Sequence, residues 1–282
     1  MITIENENYK IELFNTENAD DKHFSTRFNH LGYIKQITNK KNGIKLLTMP
    51  VESFEAFHGE GFPDEFEMPL GYDEAKVGEG FVKIGVGVEK KREDKPYTNW
   101  DEHEIIKLPE NTVKTEKNKV IYTQNLGFDG FSYEYEKTVE LCDNKLKISH
   151  NLKNTGTKDI KTLWYSHAFV DVELFDESVL LDIPKGYSLI NGEMETENVI
   201  PIDAETKKGI CFNWSVLENA ENKQVLLNGE KTVYSAEGDF HFHELQIYIN
   251  DRVISVEPKK KINLKPSESY DWSTTYVLGG RI

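Results

Sequence analysis

The chain has 282 residues, of which 38% are hydrophobic and 11% aromatic, enough apolar material for a substantial folded core. Its 49 acidic and 34 basic residues give a net charge of −15, which repels nucleic acid and anionic membrane surfaces and argues against both as partners. The two cysteines are far apart and form no Cys-x-x-Cys spacing, which argues against a disulfide framework and a thiolate zinc site.

The apolar residues alternate with period two along most of the chain, a pattern that predicts β-strands. Residues 1–14 are predicted as the first strand, followed by a polar loop at Asn15–Lys22. The strands Tyr33–Thr38 and Ile44–Met49 flank Asn39–Gly43, whose final Asn-Gly can supply a positive φ. We therefore expect a hairpin at this point.

The segment Pro50–Gly80 is rich in Gly, Pro, aromatic and acidic residues and has no period. Long loops inside folded domains are usually functional or disordered, and the aromatic content argues against disorder. This segment is a candidate wall for a ligand pocket. The next segment, Val82–Val88, alternates valine and isoleucine with glycine, which predicts a strand that another group approaches closely.

The middle of the chain is predicted as a meander of antiparallel hairpins, with arms at Thr112–Thr115 and Val120–Gln124 and at Tyr133–Leu141 and Leu146–Leu152. Strand patterns continue to the C-terminal end, at Ser178–Ile183, Val225–Leu227, Lys231–Ser235, Glu244–Ile249, Arg252–Val256 and Tyr270–Leu278. About fifteen strands without a polar or Pro-rich linker indicate an all-β protein with one large antiparallel sandwich domain over residues 1–282.

One strand pattern, Lys161–Val170, carries a histidine among aromatic residues. Strand alternation places Tyr165, His167 and Phe169 on one face. Such an imidazole is either a hydrogen-bonded core histidine or a proton donor held in place for catalysis. A distant carboxylate, Glu257, also ends an apolar strand, and the two side chains together have the composition of an acid–base pair.

Three other histidines have alternative interpretations. His58 lies beside Gly59 in the aromatic loop and is either a ligand-binding or a structural residue. His241 and His243 have a spacing that a metal site can use, but no third ligand stands out, and solvated or substrate-facing histidines are the preferred interpretation. No metal and no cofactor are expected. The dinucleotide, P-loop and α/β-hydrolase motifs are absent from the sequence.

Four short motifs follow one another along the chain: His58-Gly59, Tyr165-Ser166-His167-Ala168-Phe169, Val256-Glu257, and the segment Leu264–Tyr270. Their residues and order resemble those of the aldose 1-epimerase (galactose mutarotase-like) family. The resemblance extends over essentially the whole chain and implies a β-supersandwich fold. It also implies mutarotation of an aldose, with His167 as general acid and Glu257 as general base. His58 and Tyr165 would then contact the sugar.

Two departures from the family pattern concern sugar binding. The arginine that family members carry shortly before the His-Gly pair is missing, and Arg27 is its best substitute. The family's substrate-binding aspartate is not evident, with Asp239 as a candidate and Asn213 as a replacement. The missing arginine keeps open an alternative function, a non-catalytic carbohydrate-binding protein with the same fold.

The sequence also suggests a cellular location, a substrate and an oligomeric state. No window reaches 18 uncharged apolar residues and the N-terminal residues lack a signal-peptide pattern, so a cytoplasmic protein is expected. The expected partner is a small carbohydrate, and the chain is expected to be a monomer or a homodimer. With only four arginines and a net charge of −15, an unphosphorylated sugar is the preferred substrate.

Overall fold

The chain folds almost entirely into β-strands. The structure, a computed structural model, describes residues 1–15, 25–52, 58–175, 178–181, 189–191, 194–196, 199–203, 206–215, 224–228 and 233–279. In chain order the strands are Ile2–Glu5 (β1), Tyr9–Leu13 (β2), Ile34–Asn39 (β3), Asp64–Phe66 (β4), Gly80–Lys83 (β5), Gly87–Lys90 (β6), Glu104–Lys107 (β7), Glu110–Thr115 (β8), Lys119–Phe128 (β9), Phe131–Cys142 (β10), Lys145–Asn154 (β11), Ile160–Ser166 (β12), Val170–Asp171 (β13), Ser178–Leu181 (β14), Leu189–Asn191 (β15), Met194–Thr196 (β16), Val199–Pro201 (β17), Ile210–Ser215 (β18), Gln224–Asn228 (β19), Val233–Gly238 (β20), Glu244–Ile249 (β21), Val253–Leu264 (β22) and Ser269–Gly279 (β23). Within these ranges the helical elements are two 3₁₀ turns, Val172–Leu174 and Thr206–Lys208.

The strands form two large and two small sheets in which all pairings between described strands are antiparallel. A nine-stranded sheet has the order β17-β14-β19-β20-β23-β11-β10-β9-β8, and an eight-stranded sheet has the order β16-β15-β18-β21-β22-β12-β4, with β13 also paired to β22. The small sheets are β1-β2-β3 and β5-β6-β7. The all-β, antiparallel fold expected from the sequence is confirmed.

In the part of the chain that the structure describes, no helix is long and apolar enough to cross a membrane.

The core lies between the two large sheets and is rich in aromatic side chains. Trp164 of β12 and Trp272 of β23 meet with ring centroids 5.4 Å apart, and Phe66 of β4 packs edge-on against Tyr135 of β10 at 5.2 Å. His150 of β11 stacks on Trp272 at 4.9 Å, and burial lowers its pKa to about 3. His150 is therefore a neutral core histidine.

A buried polar cluster fixes β4 against the nine-stranded sheet. Asp64 forms an ion pair with Lys137 and accepts hydrogen bonds from the Asn29 amide at 3.1 Å and the Trp164 indole at 3.3 Å. Burial raises the pKa of Asp64, but Lys137 and its other partners outweigh burial and leave that pKa below its ordinary value. The next residue, Glu65, consequently points to the opposite face of β4.

The predicted meander is confirmed, because β8 pairs with β9 and β10 pairs with β11. Three local predictions are wrong. Residues 1–14 contain two strands, β1 and β2, separated by a turn in which the Asn6 side chain accepts the N–H groups of Asn8 and Tyr9 at 2.8 and 2.9 Å. Ile44–Met49 follows the expected turn and returns along β3, where the Asn39 N–H donates to the Ile44 carbonyl at 2.8 Å and the Leu46 N–H donates to the Ile37 carbonyl at 2.9 Å. The hairpin is therefore present, but its second arm forms isolated bridges and not the predicted continuous strand.

The third error is at Val82–Val88, which is a hairpin of β5 and β6 and not one strand. Gly85 lies in its turn with φ +89°, and a Cβ there would come within 2.4 Å of the Asn29 side-chain oxygen. The predicted close approach at a glycine is therefore present, but it marks a turn.

Candidate active site

The predicted catalytic residues line one pocket, which opens to solvent. Its walls come from the segment before β3, from residues 50–51 and 58–59, from Trp100, from the link between β12 and β13, and from strands β21 and β22. The described lining residues are Arg27, Phe28, Pro50, Val51, His58, Gly59, Trp100, His167, Phe169, Gln246, Tyr248 and Glu257. The candidate wall Pro50–Gly80 does contribute to the pocket, although its Phe54 and Phe57 lie outside the described residues.

His167 follows directly after β12, in the short link that leads to β13. Its backbone N–H donates to the Pro63 carbonyl at 2.8 Å, and the Phe169 N–H donates to the Gly61 carbonyl at 2.9 Å. The alternation continues through this link, because Trp164 and Ala168 belong to the core while His167 and Phe169 face the pocket. The predicted division of faces is confirmed, although β12 ends at Ser166.

Glu257 lies on β22, a strand with one apolar and one polar face. Ile254 and Val256 belong to the hydrophobic core. Glu257 alternates with them and faces the pocket beside Gln246, its cross-strand neighbour on β21. Because successive side chains of a strand point to opposite faces, Glu257 faces the pocket while its neighbour Val256 packs in the core.

His167 and Glu257 meet on the floor of the pocket. The imidazole Nε2 lies 3.0 Å from the carboxylate Oε1, and both side chains are almost fully buried. The contact is within ion-pair distance but lacks hydrogen-bond alignment at Oε1. Because no well-aligned bond holds a proton between the two atoms, the imidazole and the carboxyl are each available to a polar group that enters the pocket.

Burial controls the protonation of this pair. Burial raises the pKa of Glu257 to about 8 and, together with the positive charge of Arg27, lowers the pKa of His167 well below its ordinary value. Both shifts favour uncharged side chains. The pair therefore holds a single exchangeable proton at neutral pH, which these shifts place on Glu257, and the two groups titrate as one unit.

Arg27 lies at the pocket wall, and two buried side chains, Glu65 and Tyr165, fix its guanidinium group. Its Nε donates to Glu65 at 2.8 Å, and a terminal nitrogen donates to the Tyr165 hydroxyl at 3.0 Å. Lys83 donates to the other oxygen of Glu65 at 2.9 Å. Burial raises the pKa of Glu65, but Lys83 and Arg27 outweigh it and lower that pKa to about 2. Glu65 is therefore an ionised anchor for the guanidinium group.

Aromatic rings enclose the acid–base pair. Phe169 lies 4.3 Å and Phe28 5.4 Å from the His167 ring, measured between centroids. A Cβ on Gly59 would come within 2.7 Å of Phe28 and 2.8 Å of Phe169, which explains why a glycine follows His58. Trp100 lies at the rim, is 58% exposed, and stacks over the Arg27 guanidinium at 5.0 Å. Its apolar ring face is suited to stacking on a sugar.

The structure brings four of the six predicted site residues to this pocket, namely His167, Glu257, His58 and Arg27. Tyr165 is buried behind Arg27 and is not among the lining residues, so it contacts the guanidinium and not the cavity. Asp239 does not line the pocket, and its carboxylate accepts hydrogen bonds from the Ser273 N–H at 2.9 Å and hydroxyl at 2.8 Å. The side chain of Asn213 lies outside the described residues.

His241 and His243 are not among the pocket-lining residues. The Nε2 atom of His243 lies 4.0 Å from Glu244. Among the described residues, no group of three or more His, Cys, Asp or Glu side chains is arranged to hold a metal ion.

Sequence reasoning missed three residues that support the pair and Arg27. Glu65 lies in the aperiodic segment Pro50–Gly80. Lys83 lies in the alternating segment Val82–Val88, whose pattern did not mark it as an ion-pair partner. Ser255 could have been found from the sequence. It is a polar residue in an apolar run, and because it lies two residues before Glu257 it shares a strand face with that carboxylate.

Comparison with known proteins identifies the fold. No family model matches the chain, and a search of curated proteins finds no match. Solved structures do match over nearly the full length of both chains. A protein from Synechocystis sp. PCC 6803 has 12% identity and a TM-score of 0.65, with 99% of this chain and 96% of that one covered.

Two further matches have informative names. A galactose mutarotase related enzyme from Lactobacillus acidophilus has 11% identity and a TM-score of 0.63, and covers 100% of this chain and 99% of its own. An aldose epimerase homologue from C. elegans has 12% identity and a TM-score of 0.61, with the same coverage. The chain therefore has the galactose mutarotase-like fold that the resemblance implies.

Proposed function

We propose that this protein is an aldose 1-epimerase, which interconverts the α and β anomers of an unphosphorylated aldose by acid–base ring opening. The observation that carries the proposal is the His167–Glu257 pair, whose Nε2 and Oε1 atoms lie 3.0 Å apart on the floor of a pocket with aromatic and polar walls. Two groups that exchange one proton are what a reversible ring opening needs, because the same pair must work in both directions.

In the proposed reaction, the Glu257 carboxylate removes the proton of the anomeric hydroxyl while protonated His167 donates a proton to the ring oxygen. The bond between C1 and the ring oxygen breaks, and C1 becomes a carbonyl. Rotation about the C1–C2 bond presents the other face of that carbonyl. The ring oxygen then attacks C1 and returns its proton to His167, while Glu257 returns a proton to the new anomeric hydroxyl.

The protonation states favoured by burial become the reactive ones when a single proton moves from Glu257 to His167. Burial favours neutral His167 and protonated Glu257 before a sugar binds. The reactive form, imidazolium and carboxylate, contains the same single proton moved from oxygen to nitrogen. Sugar hydroxyls that bind at the two groups would stabilise the charged form, because hydrogen bonds to a charged group favour its ionisation.

The remaining lining residues suit a neutral, polyhydroxylated ring. Arg27 presents an anchored guanidinium with donor capacity, and His58 is a second polar residue of the pocket lining. Trp100 and Phe169 offer apolar faces for the C–H patches of the sugar. Every step is a proton transfer or a change in a carbon–oxygen bond, and the described side chains provide the required acid and base.

The alternative is a non-catalytic carbohydrate-binding protein, which the missing family arginine favours. The two functions are separated by measuring anomer exchange over a panel of free aldoses, by polarimetry or by NMR magnetisation transfer. Exchange well above the buffer rate for at least one aldose supports the epimerase. Sugar-induced chemical-shift changes without faster exchange would select the binding protein.

The pH dependence of kcat/KM should follow the proton shared by the pair. Activity is expected to be level around neutral pH and to fall about tenfold per pH unit above pH 8, where Glu257, with its pKa raised to about 8, loses that proton. A second decline is expected well below pH 6.5, where His167 takes up an additional proton. Buffer-catalysed exchange is subtracted at each pH. Activity that rises through pH 8 would contradict a shared proton.

Free aldohexoses are expected to have a higher kcat/KM than their 6-phosphates. The cations near the pocket already face carboxylates, since Arg27 binds Glu65 at 2.8 Å, and Lys259 binds Glu67 at 2.9 Å. A phosphate carries nearly two negative charges and needs unoccupied cationic donors. The comparison is made at low and high salt. A preference of tenfold or more for the phosphate that weakens with salt would overturn this expectation.

A further inference from the structure

A buried hydroxyl lies beside both members of the acid–base pair. Ser255 is fully buried on β22, two residues before Glu257 on the same face of the strand. It is not among the residues that line the pocket, and its cross-strand neighbour on β21 is Tyr248. Any role of Ser255 in the chemistry must therefore pass through the side chains it contacts.

The Ser255 hydroxyl contacts His167 directly and also influences Glu257. Its Oγ lies 3.0 Å from the His167 Nδ1. It also partly offsets the rise in the pKa of the Glu257 carboxyl, which lies two residues further along the same face, and so favours the ionised form. A serine hydroxyl has one proton to donate and lone pairs to accept with. If that proton goes to Glu257, then Oγ must accept a proton from His167, which places a hydrogen on Nδ1.

We propose that Ser255 is the positioning residue of the pair, because it fixes the His167 tautomer with Nδ1 protonated and leaves Nε2 as the atom that exchanges the catalytic proton. This inference rests on the proposed function. The geometry agrees with it, since Nε2 is the nitrogen that lies 3.0 Å from Oε1 of Glu257. Without the hydroxyl, nothing at Ser255 holds Nδ1–H, and a neutral imidazole is free to carry its proton on Nε2.

Removing the hydroxyl should lower kcat and shift the alkaline limb of the pH profile. For Ser255→Ala we expect kcat to fall on the order of 10–100-fold, the range found when a metal-ligating histidine loses the partner that orients it. KM should change less than threefold, because Ser255 does not line the pocket. The alkaline limb should move to higher pH, because a carboxylate that loses a donor binds its proton more tightly.

The matched variant Ser255→Thr keeps the hydroxyl on a strand residue and should restore both kcat and the position of the limb. A purely structural role would lower the melting temperature of Ser255→Ala without moving the pH limb. An unchanged kcat and limb in a folded Ser255→Ala protein would overturn the proposal. So would a loss confined to KM.

A spectroscopic measurement tests the same assignment without any activity. Nitrogen-15 chemical shifts of the His167 ring in the wild-type protein distinguish a protonated Nδ1 from a protonated Nε2. We expect protonated Nδ1 at pH 7, and a protonated Nε2 would refute the role of Ser255 even if the protein is an active epimerase. If no aldose is epimerised but Nδ1 carries the proton, the tautomer assignment stands and the proposed function fails.

Discussion

Glu257→Gln is expected to slow enzyme-catalysed anomer exchange by about 10²–10⁴-fold, the usual contribution of a positioned acid or base. Glutamine keeps the shape of the side chain but neither accepts nor releases a proton at C1. The loss should appear mainly in kcat, since the amide can still hydrogen-bond a sugar hydroxyl. Exchange is measured by NMR magnetisation transfer on the best aldose of the panel.

Folding provides the control for this variant. Burial raises the pKa of Glu257 to about 8, so the native side chain is largely uncharged at pH 7, and a neutral amide should leave the melting temperature nearly unchanged. Glu244→Gln, on the adjacent strand and outside the pocket lining, is the matched variant and should keep its activity within a few-fold. If Glu257→Gln unfolds, or exchanges anomers at the wild-type rate, Glu257 is not the catalytic base.

His167→Asn should reduce anomer exchange by a similar factor, about 10²–10⁴-fold, because asparagine cannot donate a proton to the ring oxygen. The alkaline limb of the remaining activity should change as well, since the shared proton then belongs to Glu257 alone. A pH series of kcat/KM for the variant and the wild type measures both effects.

His243→Asn is the matched control for the histidine, because His243 is partly exposed and does not line the pocket. It should retain full activity and stability. An inactive His243→Asn together with an active His167→Asn would assign the proton donor to His243, the residue just before β21, and would contradict the proposed site. Loss of folding in His167→Asn would instead indicate a core role for that residue.

The sequence was informative where strand periodicity governs the structure. Alternation correctly separated Trp164 and Ala168, which pack in the core, from His167 and Phe169, which face the pocket. The convergence of His167 with Glu257 required the family resemblance, since antiparallel pairing of β13 with β22 brings together segments that are far apart in the chain. Periodicity alone does not specify which strands become neighbours.

The site was least predictable where short elements and turns position it. Strand β4 has only three residues, Asp64–Phe66, and all three are buried, so it shows no alternation of apolar and polar side chains. Its Glu65 anchors Arg27 through tertiary contacts that no local pattern encodes. Asp239 was predicted to bind substrate because it lies between His167 and Glu257 in the chain. It follows the end of β20, and its carboxylate binds Ser273 on β23. The protonation of the pair also depends on burial, which follows from the complete fold.

Strand β22 contributes to two different parts of the molecule, because its alternate residues pack in the core and face the pocket. A one-residue insertion or deletion shortly before Glu257 would exchange these faces. The carboxylate would then enter the hydrophobic interior, and the side chain of Val256 or Pro258 would take its place at the pocket floor. A single substitution affects one face, whereas a change in length affects both. The spacing of residues along β22 is therefore under stricter constraint than the identity of any apolar residue in it.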